Sequence, residues 1–209
     1  MRPAGYNDSV FINCPFDDQY APMLKAIVYT IYRCGFWPKT ALDEDDGSDS
    51  RLSKIMRKIK DCRYGIHDLS RIELTASNYP RFNMPFELGI FFGAKNLSDD
   101  LQKRKNALVF EKTKYSYQQY ISDLNGIDTK AHNNDPAIAM IKVRDWLRTA
   151  SGRKTIPGYT ILKTQFEEFL DHLPTLAQTL GFSTDNLPFV DFLYLVEDAT
   201  QKQAAPVVS

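Results

Sequence analysis

Short apolar runs alternating with longer segments of helical period constrain this chain more than any other feature. Val10-Phe11-Ile12 is followed by Pro22 to Cys34, in which Met23, Leu24, Ile27, Val28 and Ile31 recur at helical spacing. Leu52, Ile55, Met56 and Ile59 then share one helical face that ends near Asp61, with Ser50 or a neighbour as its cap, and Arg63 to Asp68 reads as a buried strand. A third helix starts near Pro85 with Phe86 to Lys95 as its body. Ala107 to Phe110 is a fourth strand, and Tyr117 to Leu124 a fourth helix before a weak strand around Ile127. Strand and helix in repetition predict a parallel sheet covered by helices on both faces.

The strand from Gly35 to Ala41 contains Pro38, which cannot donate to a sheet ladder and so places this second strand at an edge. The order 2-1-3-4-5 has strand two at its edge, and the expected fold is α/β, a flavodoxin-like doubly wound parallel sheet with a C-terminal helical extension. Beyond about Asn134, Pro136 to Thr149 and Thr160 to Leu180 read as helices joined by Ser151-Gly152-Arg153 and Ile156-Pro157-Gly158. Leu187 to Leu195 reads as a final helix or strand, and Ala199 to Ser209 as a frayed tail. The chain thus divides into an α/β domain over 1–133, a helical extension packed on it over 134–198, and a flexible tail over 199–209.

Composition narrows the partners. The 209 residues carry 26 Lys plus Arg against 26 Asp plus Glu, without a basic stripe to track phosphates, so long nucleic acid is not an expected partner. Cys14, Cys34 and Cys62 are widely spaced, with no CxxC and no nearby histidine pair, so neither a disulfide framework nor a zinc site is indicated and a reducing cytosol fits. There is no leader-like start and no apolar stretch of about eighteen residues, so a cytoplasmic protein without a membrane partner is expected.

Asp68 ends a strand and Glu87 begins the next helix, which puts both acids at the carboxyl ends of strands, where open α/β sheets bind ligands. Pro85 suits a helix's first turn, so Glu87 is expected within that turn, where the helix dipole keeps its carboxylate ionised. A permanently ionised acid suits stabilising or attacking an oxocarbenium-like sugar, as when an N-glycosidic bond breaks. The plainer use of Glu87 is to complement the helix dipole, and both uses stay open at this point. Asp68 is read as a catalytic partner that binds ribose or holds Glu87, or else as a turn residue. Asn13, Pro15 and Phe16, at the end of strand one, would face the same crevice, or else belong to a turn in which Asp17 or Asp18 caps the first helix. Asp43, in the run Asp43-Glu44-Asp45-Asp46, offers a carboxylate to a metal or to ribose hydroxyls, although a solvated loop is the favoured reading. The long connection from Ser70 to Arg81 reads equally as a lid or as a variable surface loop, with Arg81, Asn83 and Met84 as further substrate contacts. His67 reads as a core histidine, while His132 and His172 show no recognisable partner. No nucleophile elbow, Walker loop or GxGxxG is present.

Val10-Phe11-Ile12-Asn13-Cys14-Pro15-Phe16 and Pro85-Phe86-Glu87-Leu88-Gly89, with Gly93-Ala94-Lys95 after it, resemble the nucleoside 2-deoxyribosyltransferase superfamily. There the first strand runs into a Gly-Pro-Phe-like turn and the nucleophilic glutamate lies in an Ala-Phe-Glu-Ile-Gly-like helix start. The chain is similar also to bacterial TIR and TIR-like domains, which place a catalytic glutamate on the helix after strand three. Both resemblances cover about Val10 to Leu124 and meet at Glu87. Asn13-Cys14 departs from the small turn residues of both families. The resemblance implies an enzyme that cleaves an N-glycosidic bond in NAD or a related nucleotide, taken as substrate and not as cofactor, in bacterial antiviral defence. The alternatives are nucleoside or nucleotide 2-deoxyribosyl transfer or hydrolysis, and a non-catalytic nucleotide-sensing or assembly module. The partner implied is a small nucleotide or dinucleotide. The helical extension belongs to neither minimal domain and reads as a homo-oligomer surface or a sensor contact.

Overall fold

Backbone pairing joins five short segments into one parallel sheet. The computed structural model describes residues 5–71, 82–183 and 187–204. The strands are β1 (Ser9–Asn13), β2 (Trp37–Lys39), β3 (Tyr64–Asp68), β4 (Asn106–Glu111) and β5 (Lys130–Ala131). All pair in parallel in the order β2-β1-β3-β4-β5, so the expected flavodoxin-like order holds. Pro38 stands opposite Val10 in the outermost strand, where its missing donor interrupts no ladder.

Six α-helices are described: α1 (Ala21–Arg33), α2 (Arg51–Lys60), α3 (Asn83–Leu97), α4 (Pro136–Ser151), α5 (Tyr159–Thr179) and α6 (Phe189–Ala204). The starts of two follow from capping chemistry. Ser50 Oγ accepts the Ser53 N–H at 3.0 Å ahead of α2, and the Asp135 carboxylate accepts the Ala137 N–H at 2.8 Å ahead of α4, with Pro136 in that helix's first turn. Strand alternation sorts the core into two faces. Val10, Ile12, Tyr64, Ile66, Leu108 and Phe110 meet α1 and α4, with α5 and α6 behind them. Phe11 and Val109 meet α2 and α3 through Ile55, Ile59, Leu88 and Phe91.

The structure moves several expected boundaries. The residues expected as a helix over Tyr117 to Leu124 form two 3-10 turns, Ser116–Gln119 and Ser122–Leu124. Among the described side chains there only Tyr117 is fully buried, and Ser122-Asp123 favours a turn over a continuing helix. The strand expected around Ile127 is confined to Lys130–Ala131. Gly126 takes φ of 96° and Thr129 N–H bonds back to the Ile127 carbonyl, which turns the chain away from β4 until Lys130. The third helix is longer than Phe86 to Lys95 and begins two residues before Pro85. The tail expected from Ala199 instead continues α6 to Ala204, because Val196 is buried and Thr200 is held by its hydroxyl to the Val196 carbonyl at 2.8 Å. The helices after Asn134 share one apolar cluster with the sheet, so α4 is the helix that covers the sheet after β5. Among the described residues no helix is long and apolar enough to cross a membrane.

Gly65 of β3 has no room for a side chain beneath α3. A Cβ there would meet Phe91 of α3 at 2.6 Å and His67 Nε2 at 2.8 Å. Gly65→Ala is expected to cost about 1–3 kcal/mol of stability through overpacking. A urea midpoint equal to the parent's would show that α3 yields freely.

Candidate active site

The site is built from the amide of Asn13 outward. Asn13 ends β1, and its Nδ2 donates to the Met84 carbonyl at 2.9 Å and to His67 Nδ1 at 3.1 Å. One buried amide therefore ties β1, β3 and the first turn of α3 together. An amide nitrogen can only donate, so Nδ1 of His67 accepts and the ring proton sits on Nε2. Burial, aided by the nearby Lys105 charge, drives the His67 pKa down to about 3, so the ring is neutral. Its Nε2 has no hydrogen-bond partner among the described residues, and the ring packs against Phe91 with centroids 4.9 Å apart.

Because α3 begins at Asn83, Glu87 lies in its second turn, not its first. The dipole's influence fades over the first turn, and Glu87 is only 8% exposed. Burial pushes its carboxyl up to about 7, against a smaller lowering pull from the Arg51 guanidinium at the start of α2. The expectation of a permanently ionised carboxylate is corrected accordingly: near neutral pH, acid and carboxylate coexist. The residue makes no hydrogen bond or ion pair among the described residues, so its oxygens are free for a ligand.

Asp68 is engaged elsewhere. Strand alternation turns it toward α1 and α4, whereas Glu87 approaches from the α3 side of the sheet. Its carboxylate accepts from the Tyr20 hydroxyl, from His132 Nε2 at 3.0 Å and from the Ser70 N–H at 2.7 Å. Burial alone would raise its pKa, but these donors, His132 foremost, hold it below the usual carboxylate range. His132 Nδ1 accepts the Asn134 N–H at 3.0 Å, which fixes the tautomer that donates to Asp68. So His132, expected to lack a partner, is a member of this buried network. Cys14, just past β1, feels the charge of both acids, and burial with those charges keeps its thiol protonated.

Of the other expected site residues, Met84 supplies the carbonyl that Asn13 grips, while its side chain packs with Leu69, Leu88 and Val109. Asn83 is exposed at the start of α3 and Pro15 is buried behind Asn13. Phe16 faces a cavity of about 240 Å³ bounded by Asp17, Leu24, Leu42 and Phe192. Asp43 is held in an ion pair with Lys58 of α2 and accepts the Thr40 N–H at 3.3 Å. Arg81, with Tyr79 and Pro80 of the expected lid, lies outside the described residues. The structure thus joins Asn13 to the Met84 carbonyl, three residues before Glu87 on α3, engages Asp68 and Asp43 with other partners and sets Phe16 against a separate cavity. Arg51, the cation facing Glu87, is the residue that sequence reading passed over. Its signal was its place directly after the capping Ser50, since in a parallel βα unit the helix start lies at the carboxyl edge.

No family model, curated protein or solved structure matches this chain.

Proposed function

We propose that this chain cleaves the N-glycosidic bond of NAD or a related nucleotide, with Glu87 beneath the ribosyl carbon. The observation that carries the reading is one unpartnered, desolvated carboxyl at the carboxyl edge of the sheet, in the second turn of a helix whose first turn is locked by Asn13. The electrons of the glycosidic C–N bond leave with the base, and the sugar becomes a cation. A carboxylate that burial deprives of water gains more from an adjacent cation than a solvated one would. Water then adds to the anomeric carbon and gives up a proton, for which Glu87 is a suitable acceptor.

A single free carboxyl also bears on the leaving group. Asp68 is saturated by three donors and faces the other side, so no second acid stands ready among the described residues to protonate a departing base. Nicotinamide needs none, because the pyridinium nitrogen already carries the positive charge. The partial protonation of Glu87 near pH 7 favours one second reading, nucleoside or nucleotide deoxyribosyl transfer or hydrolysis, in which its acid form assists a neutral base. The resemblance to TIR-like domains supports a role in antiviral defence.

Incubating the protein with NAD and with a panel of nucleosides and nucleotides, and resolving the released bases, tests the reaction. Release of nicotinamide is expected, and no base from any substrate would end both readings. The pH profile separates them. If the carboxylate is the working form, kcat/KM for NAD rises about tenfold per pH unit below about 7 and levels above it. A proton-donating Glu87 gives the opposite limb, with activity falling above 7.

A further inference from the structure

The outer edge of β4 is a half-empty strand position. Parallel pairing sends the backbone groups of Asn106 and Phe110 toward β3, as the bonds Asn106 N–H to Arg63 O and Leu69 N–H to Phe110 O show. Alternation then turns Ala107, Val109 and Glu111 outward. β5 pairs only with Phe110 and Glu111, through bonds that include His132 N–H to Glu111 O. The Val109 carbonyl serves Lys130 at the start of that ladder. The N–H and C=O of Ala107 and the N–H of Val109 have no hydrogen-bond partner among the described residues. The chain that would have covered them turns back on itself through the Ile127 to Thr129 bond.

These groups line a groove of about 670 Å³ whose walls are Phe92 and Lys95 of α3 and Lys142 and Trp146 of α4. Its acids are already neutralised: Asp128 by Lys130 at 2.6 Å and Asp145 by Arg144 at 2.7 Å. Lys95 and Lys142, both half-buried, have no ion pair among the described residues, so the uncompensated charge is positive. Helices flank the edge on both faces, which keeps a second sheet with its own helices from reaching it while leaving room for a lone strand. The opposite edge, by contrast, carries Pro38 and lacks its donor.

We propose that this groove binds an extended, acidic peptide segment of a partner protein, which completes the missing first half of β5 by strand addition. Backbone bonds to Ala107 and Val109 would set its register, and acidic side chains on alternate faces would meet Lys95 and Lys142. The site is independent of the chemistry at Glu87, because it lies along β4 below the carboxyl edge.

Selection of a phage-displayed library of short linear peptides on the purified full-length chain tests it. Enriched peptides are expected to be acidic, to lose at least about tenfold in affinity with Lys95→Glu or Lys142→Glu, and to weaken with salt. N-methylation along the best peptide should abolish binding at every second residue and spare those between, and binding should protect the Ala107 and Val109 amides from hydrogen exchange. Melting curves show whether each variant is folded, and the amide protection needs no variant at all. No enrichment above a control protein, enrichment indifferent to both lysine changes, or N-methyl effects without alternation would overturn the proposal. So would self-association of the parent chain that Lys95→Glu disrupts, since a second copy would then be the occupant.

Discussion

Glu87→Gln is expected to lower base release by about three orders of magnitude while making the protein more stable above neutral pH. The first effect follows from removing the only unpartnered buried carboxyl at the carboxyl edge among the described residues, with almost no change in volume. The second follows from linkage. The folded-state pKa of about 7 lies above the ordinary value of 4.5, so between those pH values the folded protein binds more protons than the unfolded chain. Stability from this group is fully present below about 4.5 and is lost as pH rises through 7. Glutamine carries no such penalty, and a gain of about 1–3 kcal/mol is expected at pH 8, vanishing at pH 4. Urea titrations at the two pH values, run beside the NAD assay, measure both. A variant that is stabilised yet acts in cells as the parent does would leave Glu87 in a non-catalytic sensing or assembly module. A variant with no gain at pH 8 would show that Glu87 is solvated and ionised in the folded state.

The sheet was legible because its signals are local. Pro38 announced an edge from one residue's covalent chemistry, and the periodicities of α1 and α2 needed no tertiary information. Glu87 was legible as a position but not as a charge state. Pro85 marks the first turn of a helix correctly, yet it occupies the third helical residue, and that difference of two moves Glu87 from a dipole-controlled turn to a burial-controlled one. Asp68 was misleading for a related reason: the end of a strand names the edge of the sheet, but the face depends on parity and on what packs there. Tyr20 and His132 lie 48 and 64 residues from Asp68, and no spacing rule joins them. The short β5 was expected three residues early because Ile127 is apolar enough for a strand, whereas Gly126 and the Thr129 turn decide where pairing starts.

The largest loss of stability is expected from Asp68→Ala. Its carboxylate is wholly buried and accepts three hydrogen bonds, so removing it strands the Tyr20 hydroxyl, the His132 N–H and the Ser70 amide without acceptors. A cost of about 3–5 kcal/mol is expected, enough to unfold a marginal domain at growth temperature. Tyr20→Phe removes one donor and leaves the carboxylate two others, so about 1–2 kcal/mol is expected there. Asp68 also gives the parent an acid dependence. Its folded pKa is depressed, so its stabilisation is present above the ordinary carboxylate range and lost as pH falls through the folded value, a decline that Asp68→Ala should flatten. Chemical denaturation from pH 7 to pH 3 reads all three quantities. Activity then separates positioning from catalysis: in Tyr20→Phe and Asp68→Asn, NAD cleavage per folded molecule should stay near the parent's. A folded Asp68→Asn with parental melting and a thousandfold lower turnover would place Asp68 on the substrate after all, and the two acids of the sheet edge would act as a pair.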